Sequence, residues 1–130
     1  MTDTKPKIFI VEDEGIKRDR YCNMVCRLGF EYAESSGINN PVPEILVYQP
    51  HIALIDTKLP GITGWDICKA LRKSEYGRQM GIIGMSSDFY EKEWGEAGAD
   101  AFLHKSKLLG SPGMKNLEDV VKAILEKYRK

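Results

Sequence analysis

One rhythm constrains the fold more than any single motif. Five times along the chain a short apolar run gives way to a longer amphipathic stretch. Lys7-Ile8-Phe9-Ile10-Val11 is continuously apolar after its lysine and rich in β-branched residues. That is the pattern of a strand covered on both faces. Residues 14–28 place Ile16, Tyr21, Met24, Val25 and Leu28 at helical spacing, and Gly29 is positioned to stop the helix. The same alternation predicts strands at 30–33, 52–55, 80–85 and 101–104. It predicts helices at 43–48, 63–73, 88–97 and 117–128. Asp88 is expected to cap the 88–97 helix or favour its first turn. Strands separated by crossover helices require right-handed parallel connections and helices on both faces of the sheet. The prediction is an α/β, doubly wound, five-stranded parallel sheet in the order 2-1-3-4-5, with a ligand site where strands 1 and 3 diverge at their carboxyl ends.

Composition narrows the function classes. The 130 residues suit a single domain, 1–130, expected to carry no output domain. Apolar residues are 42% and charged residues 29%, which excludes a disordered chain. Lys+Arg and Asp+Glu are 19 each, so no overall basic surplus draws the chain to nucleic acid or anionic lipid. No apolar run has the length of a membrane span. The polar start, residues 1–7, does not read as a signal peptide. A cytoplasmic protein is expected. Three cysteines, Cys22, Cys26 and Cys68, are an odd set that reads as reduced thiols, and neither His51 nor His104 stands at ligand spacing from them. Trp65 and Trp94 read as packing residues.

The chemistry collects at the carboxyl ends of the strands. Strand 1 runs into Glu12-Asp13-Glu14, strand 3 into Asp56, strand 4 into Ser86-Ser87 and strand 5 into Lys105. With strands 1 and 3 adjacent, Glu12, Asp13 and Asp56 converge. Crowded carboxylates repel, and a hard divalent cation relieves the repulsion. An aspartate can act as a nucleophile and carry an acyl phosphate. A lysine and a hydroxyl nearby can hold phosphoryl oxygens. The inventory suits phosphoryl transfer to a carboxylate.

The chain resembles the response-regulator receiver family of two-component signalling, whose fold is flavodoxin-like. The resemblance rests on Ile8-Phe9-Ile10-Val11-Glu12-Asp13-Glu14, then Ile55-Asp56-Thr57-Lys58-Leu59-Pro60-Gly61 with Gly64. Ile82-Ile83-Gly84-Met85-Ser86-Ser87 and the run from Glu96 to Lys105 complete it. It covers residues 6–128. It implies that Asp56 is the phosphoacceptor and that Asp13 ligates Mg²⁺, with Glu12 acting directly or through water. It implies that Lys58 gives its backbone carbonyl to the metal, that Ser86 and Lys105 hold the phosphoryl group, and that Phe102, a core residue on this reading, is the rotating switch aromatic. A histidine kinase or histidine phosphotransfer protein is the implied donor, docking on the first helix around Ile16 to Arg20 and the loop at Lys105. Output is then by contact with a further protein, from a monomer or a phosphorylation-dependent dimer. Such a receiver catalyses only its own phosphorylation and dephosphorylation.

Four departures from the family pattern carry expectations of their own. Ser106 follows Lys105 where the family has proline, yet a cis peptide is still expected there, to turn the lysine inward. The stretch from Ser86 to Gly98 is about one helical turn short, so the fourth helix is expected to be short or displaced. The segment 108–113 reads as a lengthened loop with Leu108 and Leu109 packed inward. Lys58 and Asp88 are expected to pair over the site and slow hydrolysis of the phosphoaspartate.

Three rivals remain. A haloacid-dehalogenase-type phosphatase wants a second aspartate two residues after the first, where this chain has Lys58. A flavin module wants a Ser/Thr/Gly phosphate loop after strand 1, where this chain is acidic. A phosphorylation-independent pseudo-receiver usually lacks the acceptor or the acidic pair, which this chain keeps.

Overall fold

The computed structural model describes residues 5–129; the first four residues of the polar N-terminal stretch lie outside them. The strands in chain order are β1 (Lys7–Val11), β2 (Glu31–Ser35), β3 (Ile52–Asp56), β4 (Lys58–Leu59), β5 (Ile62–Thr63), β6 (Gly81–Ser86) and β7 (Ala101–His104). The helices are α1 (Gly15–Arg27), α2 (Val42–Tyr48), α3 (Gly64–Arg72), α4 (Glu91–Ala97) and α5 (Gly110–Lys127). The main sheet is parallel throughout, in the order β2-β1-β3-β6-β7. With the five long strands counted alone, this is the order 2-1-3-4-5.

Period-two alternation sends each central strand into two cores. Ile8, Ile10, Ile52, Leu54, Ile83 and Met85 face α1 and α5 and pack with Tyr21, Val25, Leu117, Val121 and Ile124. Phe9, Val11, Ala53, Ile55 and Ile82 face the other way, onto Ile45, Ile67, Leu71 and Trp94 from α2, α3 and α4. All five residues of β3 are buried. Truncating one of its large side chains, such as Leu54, to alanine would cost about 2–5 kcal/mol. β2 lies at the edge and is mostly exposed, which explains its charged composition.

Several local features differ from the sequence expectation. β2 begins at Glu31 and runs to Ser35, one residue later at its start and two at its end. α4 begins at Glu91, not Asp88, and its preceding residue Tyr90 makes no side-chain cap. Asp88 is unavailable as a cap because its carboxylate binds Lys58 Nζ at 2.9 Å. The helix is nonetheless short, seven residues, as expected. α5 starts at Gly110 and absorbs most of the segment read as a loop. Proline is tolerated in a first turn because its missing N–H has no intrahelical partner there. Gly113 lets that turn sit directly on the Leu108 backbone, where a Cβ would collide. Leu108 is buried as expected, but Leu109 points outward and is 53% exposed. The hairpin of β4 and β5 was not anticipated.

The expected cis bond is absent: every peptide among the described residues is trans, Lys105–Ser106 included. Without proline a cis bond costs several kcal/mol, and the trans chain already delivers the lysine. His104 accepts the Ser106 N–H and opens a 3₁₀ turn over Lys105–Leu108. Cys22 and Cys68 are buried and Cys26 is exposed; all three are free thiols. Burial pushes the Cys22 thiol up to about 12 and the Cys68 thiol to about 11.

Candidate functional site

The register of the sheet assembles the site. Val11 pairs with Ile55, and Asp56 pairs with Met85. The carboxyl ends of β1, β3 and β6 therefore stand level, and the residues following them share one cleft. Glu12 is fully buried, Asp56 is 5% exposed, and Asp13 sits at the exposed mouth. One carboxylate oxygen from each of the three lies within 4.8 Å of the others. Lys58, Ser86, Asp88 and Lys105 line the same cleft, whose volume is about 270 Å³.

Lys105 is the counter-charge. Its Nζ lies 3.0 Å from Glu12 Oε1 and 3.0 Å from Asp56 Oδ1, with only 12% of the side chain exposed. Burial alone would lower its pKa, but hydrogen bonds to the Glu12 and Asp56 carboxylates outweigh it and hold the ammonium up at about 12. The lysine is therefore charged at any physiological pH. Asp13 is shifted upward by burial first, then by its hydrogen bond and charge contact with Glu12. Three carboxyl groups thus oppose one ammonium. This oxygen-only donor set, partly open to water, fits a hard divalent cation such as Mg²⁺ and does not fit a metal that prefers thiolate or imidazole.

The groups that hold these carboxylates in place also come from the strand ends. Glu12 Oε2 accepts the Glu14 N–H at 3.3 Å, and the Glu12 carbonyl accepts Arg18 Nη1 at 2.8 Å. Lys58 sends its side chain to Asp88 across the cleft mouth, and burial is slight on both sides, 71% and 55% exposed. Asp88 raises the Lys58 pKa through that hydrogen bond. Ser86 is 3% exposed, and its Oγ accepts the Asp88 N–H at 3.0 Å, which leaves its hydroxyl hydrogen free to donate.

Of the residues singled out from sequence, Phe102 alone stands apart from the cleft. It is half-buried, packed against the margin of the second core and not enclosed within it. It lines a groove of about 400 Å³ between α4 and α5. The edge position of β7 explains this, because only one neighbouring strand flanks it.

Three arrangements escaped the sequence reading. Trp94 is fully buried and donates its indole N–H to Thr57 Oγ1 at 2.8 Å, beside Asp56; Thr57 in turn donates to the Met85 carbonyl at 2.8 Å. Gly84 and Gly64 make room for the indole, which a Cβ at either position would strike. At the opposite end of the sheet, Asp100 accepts from Arg72 at 3.0 Å, Lys127 at 2.6 Å, Tyr128 at 2.9 Å and the Ile82 N–H at 2.9 Å. Finally, His104 links the loops after β6 and β7. A polar residue ending an edge strand beside Lys105 was the one visible signal for it.

Comparison with known proteins agrees with this geometry. The family model described as the response regulator receiver domain matches residues 8–109. The DNA-binding transcriptional activator EvgA of Escherichia coli K12 is 27% identical over 122 residues, 92% of this chain and 57% of that protein. The chain thus spans little more than half the length of that relative. A two-component response regulator of the LuxR family from Aurantimonas sp. SI85-9A1 superposes with a TM-score of 0.83 at 23% identity, over 97% of this chain and 89% of that one. The receiver domain of the sensor histidine kinase PA1611 from Pseudomonas aeruginosa PAO1, solved with a magnesium ion in its active-site cleft, gives 0.83 at 19% identity, over 95% and 99%.

Proposed function

Because this chain belongs to the response regulator receiver family, we propose that its cleft accepts a phosphoryl group on Asp56 in a Mg²⁺-dependent reaction. The observation that carries the proposal is the convergence of Glu12, Asp13 and Asp56 within 4.8 Å, with Lys105 bound to two of them.

Asp13, Asp56, Glu12 and the Lys58 backbone carbonyl would hold the ion. When bound, Mg²⁺ supplies charge neutralisation for the transferring phosphoryl oxygens. The Asp56 carboxylate attacks phosphorus in line. A P–O bond to Asp56 forms as the P–N bond of the donor's phosphohistidine breaks, and the electron pair leaves with the imidazole. Lys105 exchanges its hydrogen bond to Asp56 for one to a phosphoryl oxygen, and the Ser86 hydroxyl donates to another. The Lys58–Asp88 pair screens the mouth and slows the approach of water to the acyl phosphate.

The donor on this reading is a histidine kinase or histidine phosphotransfer protein. Ile16 on α1 is 87% exposed next to the cleft, a suitable apolar anchor for it. Residues 1–130 act as one receiver domain, which signals by protein contact from the face that carries Phe102. No described helix is long and apolar enough to cross a membrane.

The test uses acetyl phosphate with Mg²⁺, read by intact mass. Wild type gains one phosphoryl group and Asp56→Asn gains none. A wild type that gains no mass with acetyl phosphate and binds no beryllofluoride in solution refutes the proposal and favours a phosphorylation-independent interaction module.

A further inference from the structure

Two adjacent strand ends present the groups that would grip the phosphoryl moiety: Ser86 closes β6, and Lys105 opens the turn after β7. Ser86 and His104 are the last register pair between β6 and β7, so the backbone ladder ends there. Beyond that point the imidazole of His104 continues the tie. Its Nε2 lies 2.7 Å from the Ser87 carbonyl oxygen. Its Nδ1 lies 2.8 Å from Ser106 Oγ and accepts the Ser106 N–H at 3.2 Å. The ring stacks on Phe89, with centroids 4.5 Å apart and planes 22° apart.

The partners dictate the tautomer. A carbonyl only accepts, so Nε2 carries the hydrogen; a backbone N–H only donates, so Nδ1 is bare. The bridge therefore requires a neutral ring. Protonation would set Nδ1–H against the Ser106 N–H and remove the acceptor that opens the 3₁₀ turn, whose first residue is Lys105. On the other side, Ser87 follows Ser86 directly, and the Ser86 Oγ holds the Asp88 N–H.

Building on the reading of Asp56 as acceptor, we propose that His104 is a positioning residue that couples Ser86 to Lys105 in their joint hold on the phosphoryl group. The charged groups around the ring are Glu91 of α4, Asp119 of α5 and Lys107 of the turn on the groove side, with Asp88 and Lys105 on the cleft side. Among the described residues none makes an ion pair with the ring. The other histidine, His51, accepts the Lys7 N–H at 2.9 Å at the far end of the sheet.

The test is beryllofluoride binding with saturating Mg²⁺ at pH 8. The proteins are wild type, His104→Gln, His104→Ala and, as control, His51→Gln. Glutamine keeps a donor for the Ser87 carbonyl. His104→Ala is expected to weaken binding roughly tenfold, as the loss of one or two hydrogen bonds would, and His104→Gln to restore it to within about threefold of wild type. His51→Gln binds like wild type. Imidazole ¹⁵N shifts at pH 8 should report the Nε2–H tautomer. An Nδ1–H tautomer, a His104→Ala protein that binds like wild type, or a His104→Gln protein that binds as weakly as the alanine variant would overturn the proposal. If the alanine variant does not fold, the tautomer decides. If wild type binds no beryllofluoride, the acceptor reading falls together with this one; if wild type binds and the alanine variant matches it, only the role of His104 falls.

Discussion

Lys105 Nζ bridges Asp56 Oδ1 and Glu12 Oε1 at 3.0 Å each, so the residue proposed to hold the phosphoryl group first occupies two carboxylates proposed to hold metal. The ammonium and a divalent cation therefore compete for the same oxygens, while they cooperate once a phosphoryl group supplies new ones.

This competition predicts a split in the Lys105→Ala variant. Mg²⁺ affinity should be unchanged or higher, because the internal counter-ion is gone. Phosphorylation by acetyl phosphate should fall about 10²–10³-fold, the usual effect of removing one donor from a developing oxyanion. Parallel losses in Mg²⁺ binding and phosphorylation would contradict the arrangement. EDTA should abolish phosphorylation in both proteins.

Lys58→Ala should accelerate loss of the phosphoryl group from phosphorylated protein and leave Tm unchanged. The Lys58–Asp88 pair is too exposed to matter for stability, so any effect lies in water access to Asp56. Autodephosphorylation followed by intact mass checks this; an unchanged rate removes the screening role.

Asp100 should make stability acid-sensitive. Burial raises its pKa, but the hydrogen bonds from Lys127, the Ile82 N–H and Tyr128, and the charge of Arg72, outweigh that and leave it below the usual carboxylate value of 3.8. A depressed folded pKa means its stabilisation is present above the unfolded value and is lost as pH falls through the folded one. Asp100→Asn should cost about 2–4 kcal/mol at pH 7, because it leaves Arg72 with a side chain only 17% exposed and no counter-charge. The gap between variant and wild type in denaturant titrations should narrow below pH 3.8. A constant gap would show that the charge is immaterial.

Trp94→Phe should destabilise by about 2–4 kcal/mol, since it opens a cavity and leaves the Thr57 hydroxyl without its indole donor. Gly84→Ala should also destabilise, by about 1–3 kcal/mol, as its Cβ lands on the same ring. Thermal melts of the two variants and their double mutant test the contact: the smaller phenyl ring in place of the indole should partly relieve the alanine, and strict additivity would count against direct contact.

Much of this was legible along the chain. The apolar runs at Ile8–Val11 and Ile52–Ile55 alternate between two cores, so strand and sheet type follow from burial on both faces, and the strand order is the one common to doubly wound sheets of five strands. Once the order was known, Glu12, Asp13, Asp56, Ser86 and Lys105 had to meet at one edge. The segment 108–113 reads as a loop because Gly-Ser-Pro-Gly signals a turn locally, whereas the Leu108 backbone offers a packing surface that only the folded chain provides, and α5 starts at Gly110. An aromatic within a strand, Phe102, points to the core, but how fully it is enclosed depends on which neighbours flank its strand and what covers it.

The sequence alone determined which backbone groups line the sheet's carboxyl edge, because side-chain alternation and crossover handedness are local and chiral properties. Only the tertiary structure decided how those edges are tied to one another. Lys105, Trp94, Asp100 and His104 each reach a partner 17 to 93 residues away along the chain, on a segment whose separation no periodicity encodes. Their pairing depends on hydrogen-bond geometry at a few ångströms, a scale that is set only when both segments are anchored on the sheet.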